Sequence, residues 1–155
     1  MLNAIKANTY DQNPYHNVVK IIELTRNFHY FVKTGELMQI FSDLNVMSGF
    51  LSCLLCDVSH PGVNNGFLIA MRHVKAIRYN DRSVLENHHC AIAFKLLLDP
   101  QNDIFELLSE AQYWYVRQAI IKMILSSDIS NHFEMISKFH PASSFACSDV
   151  QKPYD

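Results

Sequence analysis

The sequence predicts an all-helical protein, and three features carry that prediction. Apolar residues recur mostly at spacings of three and four, the period of a helix with one buried face. Chain-breaking residues are scarce, with 4 glycines and 5 prolines in 155 residues. No stretch alternates apolar and polar side chains long enough to make a convincing strand. An apolar fraction of 49% with 18% charged residues allows a core of ordinary size in one domain.

In chain order, Pro14 is expected to open the first helix, because proline lacks the amide hydrogen that a first-turn residue leaves unpaired. That helix is predicted from Tyr15 to Val32, with His16, Lys20 and Glu23 on neighbouring positions of one face and Val19, Ile22 and Phe28 supplying apolar contacts. Lys33-Thr34-Gly35 reads as its end, with the glycine in the left-handed conformation common there. Asp43 is expected to cap the next helix. From Leu44 to Leu55 that helix is apolar on nearly every side, which predicts an element surrounded by protein and brings Asp57 out of the core.

Pro61-Gly62 breaks the run, and Asn64 to Met71 is expected to form a short helix. Tyr79-Asn80-Asp81 makes a turn, after which Ser83 and Glu86 have the spacing of a capping box for a helix from Leu85 to Leu98. Asp99-Pro100 stops it. Ser109 with Gln112 starts another through Trp114 to Leu125, and the methionine and aromatic residues of the chain, Trp114 among them, are assigned to the core. A last helix is expected from about Ser130 to Phe139, and residues 140–155 lack periodicity and read as a loose tail.

A net charge of -2 without a long basic block provides no electrostatic footprint for nucleic acid. No apolar run approaches the length of a membrane span, and MLNAIKANTYDQ lacks the apolar centre of a secretory signal, so a cytoplasmic location is expected. In that compartment Cys53, Cys56, Cys90 and Cys147 should be reduced thiols. Cys53 and Cys56 have the spacing of a zinc or redox pair, but no second pair accompanies them and two leucines separate them. They read as buried thiols.

The chemistry concentrates in four blocks: NPYHN at Asn13 to Asn17, CDVSHPGVNN at Cys56 to Asn65, YNDRSVLENHH at Tyr79 to His89, and LSSDISNHF at Leu125 to Phe133. In this order they resemble the class I cyclic-nucleotide phosphodiesterases. The resemblance implies a compact multi-helix domain of HD type, of which residues 1–139 would supply the amino-terminal and middle portion, with residues 140–155 unmatched. It implies metal-dependent hydrolysis of cyclic AMP or cyclic GMP to the 5'-monophosphate, with zinc and magnesium or manganese as cofactors. Two ions of this kind stabilise charge on phosphorus and turn a bound water into hydroxide.

By the same resemblance His16 matches the proton donor to the leaving oxygen, and Asp57 matches the aspartate that bridges the ions. The first histidine ligand is replaced by Lys20, whose ammonium has three donors and no lone pair. The second is replaced by Cys56, a softer ligand. The fourth ligand, the purine-binding glutamine and the aromatic clamp on the base have no counterpart here. His60, Glu86, His89 and Asp128 match polar residues that orient ligands and water around the metal pair.

Two functions from different classes follow. One is a phosphodiesterase with cyclic nucleotide as its partner. The other is a noncatalytic, phosphodiesterase-like fragment that binds a second copy of itself or a full-length relative. The replaced ligands predict impaired catalysis, and they predict that the Lys20 amine pairs with Asp57 or Glu23 in the space of an ion.

Overall fold

The structure, a computed structural model, describes residues 1–35 and 37–138. Among these residues the α-helices run in the order α1 (Leu2–Ala7), α2 (Val18–Thr34), α3 (Asp43–Leu55), α4 (Asn65–Ala70), α5 (Val74–Arg78), α6 (Val84–Leu97) and α7 (Glu110–Ser126). Single 3₁₀ turns occupy Leu37–Gln39 and Ile129–Asn131, and residues 132–138 are helical. No strand occurs among the described residues, so the fold is all-helical as its periodicity requires. Phe139, Cys147 and the expected tail at 140–155 lie outside them.

Helix α3 is the hub and packs against α2, α6 and α7. Leu51 and Leu55 of α3 meet Ala93 and Leu97 of α6 and Val116, Ile120 and Ile124 of α7. Leu55, Leu97, Ile120 and Ile124 are completely buried, and each such side chain stabilises the fold by about 1.5–3 kcal/mol. At Gly49 a Cβ would overlap the Phe28 ring, so glycine lets α2 lie close along α3. That approach sets the side chains of early α2 beside the residues that follow α3. A smaller cluster of Leu68, Ala76, Val84 and Leu85 fastens the α4–α5 corner to the start of α6.

Several local expectations are corrected. Tyr15 and His16 precede α2, which starts at Val18 because the Asn17 side chain caps it by accepting from the amides of Val19 and Lys20. Gly35 has φ -86, so the end of α2 makes no use of a left-handed residue. Ser42, one position before Asp43, is the cap of α3 and accepts from the Asn45 amide. The Ser83–Glu86 capping box is not formed. Ser83 sits at φ 41 with no side-chain cap bond, because its hydroxyl donates to Asp128 at 2.7 Å.

Other elements follow their local chemistry. The Ser109–Gln112 capping box is present in full at the start of α7. Trp114, assigned to the core, is 51% exposed, because the inward face of α7 is taken by Val116, Ile120 and Ile124. Helix α1, with Ile5 buried, and helix α5 are additions, each too short for a periodic pattern to announce.

Candidate functional site

Two loops and the start of α2 bring the site together. Asn13 acts as a clip, its side-chain amide donating to the backbone carbonyls of His16 at 3.2 Å and His60 at 2.8 Å. The two histidines are thereby stacked face to face, with ring centroids 3.6 Å apart and planes 7° from parallel. Gly62, at φ 80, turns the chain beside them, and the Asn13 carboxamide fills the space that a Cβ there would take. This conformation favours glycine.

Asp57 follows directly after the end of α3 and is buried, with 8% of its surface exposed. The Lys20 ammonium contacts its Oδ2 atom, and His16 Nδ1 lies 3.2 Å from the same atom. Of the two carboxylates expected for Lys20, Asp57 is the partner. No well-aligned hydrogen bond reaches Oδ2, so charge supplies its compensation. Burial pushes the Asp57 carboxyl up, but the Lys20 ammonium and the His16 imidazole more than offset this and hold it below the usual carboxylate range.

The ammonium has further neighbours. Lys20 Nζ is 3.2 Å from His16 Nδ1 and 4.8 Å from the centroid of the Tyr15 ring. His16 Nδ1 therefore lies between the Lys20 ammonium, which can only donate, and Asp57 Oδ2, which can only accept. The Tyr15 face adds a cation–π contact. Lys20 is thus surrounded by a carboxylate, an imidazole nitrogen and an aromatic face.

Beyond His16 the row of rings continues. His60 accepts the Gly62 amide on Nδ1 at 3.0 Å, which places its proton on Nε2. The His89 ring lies 5.4 Å from His60 and donates from Nδ1 to the Val58 carbonyl at 2.7 Å. Burial pushes the pKa of both His60 and His89 down to about 4, so both rings are neutral at pH 7.

Glu86 and Asp128 line an open cleft of about 650 Å³ together with His16, His60, Asn64 and Asn65. Asn65 connects two elements: its amide donates to Glu86 at 2.9 Å, and its carbonyl accepts the Leu85 amide at 2.8 Å. Burial raises the Glu86 carboxyl. For Asp128 burial acts in the same direction, but the Ser83 hydroxyl and the Ser130 amide outweigh it and its pKa is lowered.

Cys56 adjoins Asp57 in sequence, but its thiol donates to the Cys53 carbonyl at 3.6 Å. Burial, then the Asp57 charge, pushes that thiol up to about 12. The donor set does not fit the metal centre that the sequence implies. The Lys20 ammonium lies directly against the buried Asp57 Oδ2, and among the described residues no three His, Cys, Asp or Glu side chains converge as a ligand group. Cys53 and Cys56 are half-buried and unpaired, and Cys90 is buried.

The structure therefore gathers His16, Lys20, Asp57, His60 and His89 into one cluster, sets Glu86 and Asp128 in the cleft that His16 and His60 also line, and leaves the Cys56 sulfur turned aside. Asn13 and Asn65 are structural partners that residue types alone did not single out, and Ser83, expected as a helix cap, bonds Asp128 instead. The two asparagines lay in view, in NPYHN and CDVSHPGVNN, beside turns.

Residues 15–152 match the 3'5'-cyclic nucleotide phosphodiesterase family. Over 123 residues, 79% of this chain and 23% of the relative, the sequence is 41% identical to a rat (Rattus norvegicus) protein named 3',5'-cyclic-AMP phosphodiesterase 4C. Over 127 residues, 82% of this chain and 16% of the relative, it is 36% identical to the 3',5'-cyclic-nucleotide phosphodiesterase regA of Dictyostelium discoideum. The chain thus spans under a quarter of the length of these relatives. The crystal structure of the phosphodiesterase domain of a Salpingoeca rosetta rhodopsin phosphodiesterase superposes with a TM-score of 0.88 at 30% identity, covering 94% of this chain and 44% of that one.

Proposed function

Because this chain belongs to the 3'5'-cyclic nucleotide phosphodiesterase family, we propose that it is a catalytically impaired portion of the family's catalytic domain, acting through a protein partner. The observation that carries this reading is the Lys20 ammonium on Asp57. A divalent ion brought to that carboxylate would meet a fixed positive charge where a lone pair is required. No step of hydrolysis is therefore routed through this carboxylate. Exposed apolar side chains on α2, among them Val19, Ile22, Tyr30 and Phe31, support an association with a second copy or a full-length relative.

A second reading, hydrolysis of cyclic AMP or cyclic GMP, is favoured by one observation: His16, 3.2 Å from the buried Asp57, lines an open cleft. In that reading His16 donates the proton to the leaving oxygen, and His60, His89, Glu86 and Asp128 orient water and the substrate phosphate.

The deciding experiment measures hydrolysis of both nucleotides with magnesium plus zinc or manganese, and bound metal in parallel. The chain, Asp57→Ala and the pair Lys20→His with Cys56→His are compared. Absent turnover and absent bound metal in the unsubstituted chain are expected. Turnover that disappears with Asp57→Ala would establish the hydrolytic reading instead.

A further inference from the structure

Helices α4 and α5 form a corner whose outer side has a composition unlike the rest of the molecule. Between residues 72 and 82 the chain carries Arg72, Lys75, Arg78 and Arg82 against a single acidic residue, Asp81, although the whole chain has a net charge of -2. Arg72, Arg78 and Arg82 are exposed and Lys75 partly so. Interleaved with them are large apolar side chains held out in solvent: Phe67 is 52% exposed, Met71 64%, Val74 62% and Ile77 68%.

These groups project from the corner into solvent. Leu68 of α4 and Ala76 of α5 are buried in the same small cluster against Val84 and Leu85, so both helices turn their other sides outward. Lys75 and Arg78 of α5 also lie near enough to His88 of α6 to add to the effect of its burial in lowering that imidazole. Both turns are closed by backbone bonds. The His73 amide reaches the Leu68 carbonyl at 2.9 Å across Arg72 at φ 49, and the Asp81 amide reaches the Ala76 carbonyl at 3.0 Å across Asn80 at φ 53. A corner so tied is already ordered before anything binds.

We propose that the α4–α5 corner is a docking surface for an anionic lipid membrane. Projecting apolar side chains can enter the boundary between headgroups and acyl chains, while flanking arginine and lysine side chains meet the negative headgroups. A protein helix would call for a groove to receive its apolar face, whereas here Phe67, Met71, Val74 and Ile77 protrude. Charge complementarity then selects an anionic bilayer over a neutral one. Binding is reversible, because one patch without a lipid anchor is a single membrane signal.

The test is sedimentation of the whole chain with vesicles of phosphatidylcholine alone or mixed with phosphatidylserine, at low and at high salt. Binding to the mixed vesicles only, with release at high salt, is expected. Arg72→Gln and Arg78→Gln should each weaken binding at low salt by about fivefold, and Met71→Ser with Ile77→Ser should weaken it there as well. All four positions are exposed, so the variants should melt like the parent chain, and Lys33→Gln on α2 serves as the surface control. Equal binding to neutral vesicles, no binding to either, indifference to these substitutions, or tighter binding to poly-glutamate than to vesicles would each overturn the proposal. The assay contains neither nucleotide nor metal, so its outcome is independent of the catalytic reading.

Discussion

The Lys20 ammonium lies against the Asp57 carboxylate, with the side chain of Lys20 24% exposed and that of Asp57 10% exposed. Removing one partner of such a pair leaves a buried charge without compensation, whereas removing both does not. Lys20→Met should therefore destabilise the fold by about 3 kcal/mol, and Lys20→Met combined with Asp57→Asn should recover most of that loss. Urea denaturation of the two single variants and the double variant measures the coupling. Additive effects would show that the pair does not support the fold.

Stability should fall steeply in mild acid. Burial, as the leading cause, lowers the pKa of His88 and of His89 to about 4, against about 6.5 in an unfolded chain. Between these values the unfolded chain binds more protons, so stability rises with pH across the window and is lost as pH falls from about 6.5 to about 4. The slope is about 1.4 kcal/mol per pH unit for each histidine. Asp57, whose folded pKa is depressed, keeps its contribution through this window and loses it only as pH falls further, through the folded carboxylate pKa. Denaturation midpoints that stay level from neutral pH down to the carboxylate range would contradict this assignment.

Ser83 and Asp128 tie the start of α6 to the 3₁₀ turn after α7, and no cap bond depends on the serine. Ser83→Ala and Asp128→Ala should each cost about 1–2 kcal/mol. Asp128→Ala also removes the acceptor of the Ser130 amide, so the double variant should cost little more than Asp128→Ala alone. Ser109→Ala, by contrast, removes a real cap and should cost about 1 kcal/mol independently of either.

Asn13 holds the His16 and His60 carbonyls with one side chain. Asn13→Ala should release the stacked rings at a cost of about 1–2 kcal/mol. Histidine ring resonances of His16 and His60 should shift, while those of His88, held on α6, stay in place. Unmoved His16 and His60 resonances would show that the stack is maintained without the clip.

Local chemistry determined the helical class, the span of α3 within a residue of its ends, the start of α7 at its Ser109–Gln112 box, and the four blocks that identify the family. Those features depend on neighbours within about one helical turn, which a linear reading sees directly. Only the folded chain decided which partner each polar group took. The Asn13 clip spans 47 residues and the Ser83–Asp128 bond 45, and Lys20 chose Asp57 over the carboxylate three positions along its own helix. Trp114 was displaced from the core by the same logic, because α7 has only one face toward α3 and smaller aliphatic residues fill it. Local spacing sets where a side chain can point; packing sets what it finds there.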